Sequence, residues 1–284
     1  MSLRVWIVAA HVLVVLLGTC VHWFAIGRRE PRDTPESWER LHARSGRLER
    51  ELAGPLDDRD WSGEYERRYA TGRLRLLLGR ENGFELESEA GCNPIIVNSG
   101  AVSADERGLE LSSDVGFSYR EDRAFGARLE FVRWGERRYL VPPDRFEDFV
   151  NEANLGRFDK GIESFFCRAA DRLLPLTGNP TLSHEHARHL LAVPIAGRVV
   201  AVHKLGTEPP RFHRPCNYEL VLDAGTTRGV RVGMPVALLD GHDGLRHAEV
   251  IEVEPDRAHA IVSCDGWGSH LELGVGRRWS TREE

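Results

Sequence analysis

The first pattern along the chain is a run without any polar break. From Val5 to Gly27 the sequence VWIVAAHVLVVLLGTCVHWFAIG carries no formal charge and is flanked by Arg4 and by Arg28-Arg29-Glu30. As a helix these 23 residues span roughly 35 Å, against a hydrocarbon core of about 30 Å. A signal peptide has an apolar core of only about 7–15 residues that ends at small side chains, whereas here Val21, Trp23, Phe24 and Ile26 continue the run. Residues 1–27 therefore predict a transmembrane anchor. The spacing then turns helical: Thr34-Pro35-Glu36-Ser37 reads as an N-cap, a first-turn proline and an acid, and the helix ends at Gly54-Pro55. Its apolar positions Trp38, Leu41, Leu48 and Leu52 follow a heptad that Ser45 interrupts. Residues 28–60 thus predict a juxtamembrane helix and linker. The helix either packs on the domain behind it or forms a weak homodimer through residues 35–53.

From Trp61 the period shortens to two. Segments 65–69, 74–78, 83–87, 94–97, 109–111, 127–133 and 138–141 read as strands, with turns at Glu81-Asn82-Gly83, Asn98-Ser99-Gly100, Glu106-Arg107-Gly108 and Trp134-Gly135. Residues 61–141 predict an antiparallel meander. A helical connector over 142–197 follows: one helix over 143–154 closed by Gly156, one over 160–174, and a short one capped by Ser183 that runs to Leu191. Residues 198–284 return to short strands at 198–205, 218–222, 235–239, 247–254, 258–264 and 276–280, with Met234 and Val236 directed inward. The predicted fold class is mainly β with some α: a transmembrane helix, then two small antiparallel β-domains of meander or partial-barrel type joined by helices.

Two resemblances attach to these β segments. Trp61-Ser62-Gly63-Glu64-Tyr65, followed by its run of hairpins, resembles the opening Trp-x-Gly-x-Tyr element of lipocalin-like barrels. That likeness implies an apolar interior able to hold a lipid or small apolar ligand, with Trp61, Tyr65, Leu74, Leu76 and Phe84 as the candidate pocket. The same residues also suit a core packed solid by side chains. Further on, Asp223-Ala224-Gly225, Gly229-Val230, Gly233-Met234-Pro235 and the pairing of 248–253 with 258–262 resemble the β-domains of the rod-shape-determining (MreC) scaffold family. That family places a long coiled coil before its β-domains, where this chain has one short helix and a different β-domain.

Composition narrows the function classes. With 38 basic and 44 acidic side chains the net charge is −6, so there is no global attraction to nucleic acid or anionic lipid. Besides Cys20 in the anchor, the cysteines are Cys92, Cys167, Cys216 and Cys264, at spacings that fit no C-x-x-C metal or redox motif. They suit either two disulfides, most simply Cys92–Cys167 and Cys216–Cys264, or four buried thiols. His186 and His189 lie three apart and could share a metal, but Arg188 stands where a zinc peptidase has its second histidine. No phosphate-binding Gly-rich loop and no nucleophile elbow occur.

The sequence thus predicts a membrane-anchored cell-envelope binding or scaffold protein without catalytic activity, cofactor or bound metal. Its partners are the membrane, through residues 5–27, and envelope proteins, with no nucleic acid. A lipid or apolar-ligand binder using the 61–141 barrel is one alternative, and a metal-dependent hydrolase built on His186 and His189 is another. The resemblance to the rod-shape-determining scaffold family implies a soluble region outside the cytoplasm, in the periplasm. The excess of Arg28, Arg29 and Arg32 over Arg4, read literally by the positive-inside rule, gives the opposite orientation.

Overall fold

A computed structural model describes residues 35–54, 61–69, 72–89, 95–113, 128–160, 164–205, 216–239, 246–264 and 273–283. The apolar segment 5–27 and Cys92 lie outside these residues. Among the described residues no helix is long and apolar enough to cross a membrane. The strands form two closed antiparallel barrels. The first has eight strands in chain order, β1 (Gly63–Tyr69), β2 (Gly72–Gly79), β3 (Gly83–Glu89), β4 (Ile95–Ala104), β5 (Gly108–Ser113), β6 (Arg128–Trp134), β7 (Arg137–Val141) and β8 (Phe166–Arg168). The second has six: β9 (Ala196–Leu205), β10 (Cys216–Leu222), β11 (Pro235–Leu238), β12 (Arg246–Val253), β13 (Ala258–Cys264) and β14 (Arg278–Ser280), ordered β10-β13-β12-β11-β14-β9. The chain divides into two compact units, one formed by 1–66, 70–129 and 168–170, the other by 67–69, 130–167 and 171–284.

In the first unit the β2–β3 hairpin pairs Leu76 with Leu86, Leu77 with Glu85 and Leu78 with Phe84. Alternation sends Leu76, Leu78, Phe84 and Leu86 to one face, and Leu77, Gly79, Glu85 and Glu87 to the other. Both faces are buried, because helix α1 (Pro35–Leu52) covers the second one. Leu48 of α1 is fully buried. A Cβ on Gly79 would stand 2.6 Å from Leu48 Cδ1, so the missing side chain makes room for the helix. The Glu51 carboxylate accepts the backbone N–H groups of Arg80, Glu81 and Asn82 and the Asn82 amide, clasping the hairpin turn. Burial alone would raise the Glu51 carboxyl; these donors outweigh it and hold the group below its ordinary range.

The turn predicted at Asn98-Ser99-Gly100 lies instead inside β4, where Ser99 and Gly100 pair with Glu85 and Phe84. Gly100 serves close backbone approach: a Cβ there would meet Ser112 O at 2.0 Å.

In the second unit α2 (Phe146–Leu155) follows one 3₁₀ turn and ends on Gly156 at φ 73°. Its Phe146, Phe149 and Val150, three and four positions apart, are buried on one face. Phe149 centres an aromatic cluster, 4.9 Å from Phe158, 5.2 Å from Phe165 and 5.6 Å from Tyr139. The helix predicted over 160–174 does not form in the described part of that range. Phe165 joins the aromatic cluster, Phe166–Arg168 is strand β8 paired with β7, and Leu173 is 96% exposed. Pairing with an open edge overrode a local spacing that also suited a helix. The Ser183 segment is a single turn, α3 (His184–Ala187), and the Ser183 hydroxyl meets His186 Nδ1 at 2.8 Å instead of capping the backbone.

The second barrel is filled by Val199, Leu220, Leu222, Val230, Met234, Val236, Leu238, Val250, Val262 and Trp279. Its β12–β13 hairpin turns over Pro255-Asp256, closed by Glu254 N–H donating to Arg257 O at 2.8 Å.

Candidate functional site

The C-terminal unit carries a cleft of about 470 Å³, a volume in the range of small-ligand sites. One wall is the polar edge of α2, where Asp148, Asn151, Glu152 and Leu155 recur at helical spacing. The opposite wall is the outward face of β11–β13, with Pro235, His247, Glu249, Ile261 and Ser263. Strand alternation explains this wall: Ala248, Val250, Ala260 and Val262 are buried, so their neighbours face out.

At one end Glu283, with its side chain 3% exposed, accepts from Arg157 Nε at 3.0 Å and from His247 Nε2 at 2.5 Å. Arg157 Nη2 also lies 3.2 Å from His247 Nδ1. Burial would raise the Glu283 carboxyl, but the Arg157 hydrogen bond and the His247 charge and hydrogen bond hold it lowered. The same Nη2 is 3.2 Å from His247 Nε2, so Arg157 and the Glu283 carboxylate together fix the orientation of the ring. At the other end Asn151 donates to Gly233 O at 3.1 Å and accepts from Arg231 Nη2 at 2.7 Å. Buried Glu152 is raised by desolvation and takes the Ser164 N–H at 3.4 Å. Arg145 pairs with Asp148 at 2.9 Å and lies over the Phe165 ring at 4.9 Å. Ser263 donates to Asn217 at 2.9 Å. The cleft therefore presents oriented charges and amides, most of them tied to one another.

The residues singled out in the sequence lie elsewhere. Tyr65, Leu76 and Phe84 are buried in the first unit, and Trp61 and Leu74 are half-buried. The Tyr65 hydroxyl donates to Trp61 O at 3.0 Å. His186 stacks on Phe146 at 4.7 Å, and His189 Nε2 accepts from Arg188 Nε at 3.3 Å. Burial, then the charges of Arg231 and Arg188, lower the His189 pKa. Among the described residues no group of three or more His, Cys, Asp or Glu is placed to hold a metal. Cys167 is buried in the aromatic cluster, and the β10–β13 register sets the Cys216 Cα opposite that of Cys264. Sequence reading missed Arg157, His247 and Glu283, which stand 90 and 36 positions apart and carry no joint motif. No protein-family model, curated protein or solved structure matches this chain.

Proposed function

We propose that this chain is a membrane-anchored cell-envelope binding or scaffold protein without catalytic activity, held by residues 5–27 with its barrels outside the cytoplasm. On this reading the cleft between α2 and β11–β13 is where an envelope partner binds. The arrangement that supports it is the Glu283–His247–Arg157 group, which holds oriented charge at the end of the cleft. The exposed Glu249 and Ser263 on the wall are the positions that would meet the partner.

Site-specific photo-crosslinking in intact cells tests this reading. A photoreactive residue at Ser263 should trap a discrete envelope partner, one at Glu110 on the first unit should not, and Glu249→Arg should abolish the product. Equal labelling from both positions, or none, would remove the proposal. Native mass spectrometry of the full chain in detergent addresses the alternatives. A stoichiometric lipid lost on Phe84→Ala would favour the apolar-ligand reading, and stoichiometric zinc lost on His186→Ala would favour the hydrolase.

Location has its own test. Directly opposed residues of an antiparallel pair have Cα atoms about 4.5–5.5 Å apart, within the span of a disulfide. An extracytoplasmic domain should therefore hold Cys216 and Cys264 oxidised, seen as a crosslinked peptide pair after non-reducing digestion. Two free thiols in protein isolated without reductant would count against the periplasmic assignment.

A further inference from the structure

Three strands of the first unit build a ladder of charges on the face that α1 partly covers. At its open end Arg73 bonds Glu66 and Glu89, both at 2.6 Å. One rung along, Arg75 bonds Glu64 at 2.7 Å and Glu87 at 2.9 Å. In each rung an arginine of β2 stands between a glutamate of β1 and a glutamate of β3. The next outward position of β3 is again a glutamate, Glu85, but its β2 partner is Leu77. The third rung therefore has an acid and no cation.

That acid lies under the helix. Glu85 is 0% exposed, Oε1 accepts from Ser45 Oγ of α1 at 3.2 Å, and Oε2 receives no donor, while the neighbouring Glu87 carboxylate lies within reach of a proton on Glu85. Every neighbouring element withholds a positive charge. α1 brings Ser45 and Leu48, with Glu49 the next acid along and Glu51 engaged at the hairpin turn. β2 brings Leu77, and Arg75 is committed to Glu64 and Glu87. β3 brings Glu87, and β4 brings the buried Ser99 opposite Glu85. Arg44 and His42 of α1 have contacts of their own, and among the described residues no cation pairs with Glu85. A neutral carboxylic acid can be buried there with one hydrogen bond. An ionised carboxylate, with a bare oxygen and two like charges nearby, needs water.

We propose that Glu85 is a proton-operated latch for α1: the protonated acid lets the helix lie on the β2–β3 hairpin, and ionisation releases it. Burial, then the Glu87 charge, push the Glu85 carboxyl up to about 7. The sign follows: the docked state binds the proton more tightly than the undocked one. Docking is therefore strongest below the ordinary glutamate range and is lost as pH rises through about 7.

Hydrogen exchange of the full chain in detergent, corrected for intrinsic rates, reads this directly. Linkage between an ordinary value of 4.5 and one of about 7 predicts that α1 protection falls about tenfold from pH 6 to pH 8.5. Protection of β10–β13 should not change. Glu85→Gln should leave α1 equally protected at both pH values, and Glu87→Gln should shrink the fall. Equal α1 protection in the unmodified chain, or a full fall persisting in Glu85→Gln, overturns the proposal. Should Glu85→Gln fail to fold, an undiminished fall in Glu87→Gln does so.

Discussion

Gly83 and Gly100 lie where backbones of β3, β4 and β5 come closest. A Cβ on Gly83 would stand 2.0 Å from Gly100 O, and one on Gly100 2.0 Å from Ser112 O. Backbone cannot yield as a flexible side chain can. Gly100→Ala should therefore destabilise the protein by about 2–3 kcal/mol, the scale of overpacking, read as a lower urea midpoint with unchanged slope. Charged positions obey the same local logic. Arg75 holds two glutamates, and its loss in Arg75→Ala should cost about 1–2 kcal/mol, less than for a deeply buried pair because Arg75 and Glu64 keep roughly a third of their exposure. Glu85 is the residue whose position deceives a sequence reader. Two-residue alternation sends it to the face opposite Leu86, conventionally the wet face, and only the helix above makes that face dry.

Elements show where local signals suffice. α1, α2 and the β2–β3, β6–β7 and β12–β13 hairpins form close to where local spacing, turn residues and alternation put them, because there the local signals agree with the tertiary packing. β8 and the full length of β4 are decided by partners elsewhere: Phe166 and Cys167 are extended because they pair with Leu140 and Tyr139. The C-terminal residues behave alike. Thr281 N–H donates to Ile195 O, Thr281 Oγ1 accepts from Ile195 N, and Glu283 N–H donates to Leu155 O. Glu283→Gln should cost about 1–3 kcal/mol by leaving Arg157 without its carboxylate. Because the native carboxyl is lowered, its contribution is present above the ordinary glutamate range and lost as pH falls through the lowered value. Unfolding midpoints should thus separate the two proteins at pH 7, and the gap should narrow as pH falls below the ordinary glutamate range.

For the whole molecule, the proposed anchor makes a simple demand. The full chain should sediment with membranes and resist carbonate extraction, whereas deletion of residues 2–27 should leave both barrels folded in the soluble fraction. A protein that is soluble with residues 2–27 intact would refute the anchor. What the sequence determined by itself is what short-range physics controls: two regions of period-two alternation, the helix ahead of them, the apolar faces of α2 and the second barrel, and a charge balance without pull toward nucleic acid. What only the tertiary structure decided is what depends on closure and covering. Eight strands close the first barrel because a strand from beyond residue 141 completes it. Arg157, His247 and Glu283 meet because the turn after α2, β12 and the C-terminal residues converge. Glu85 becomes a buried acid because α1 lies over it. Each needs contacts between residues tens of positions apart, and such contacts leave no periodic trace along the chain.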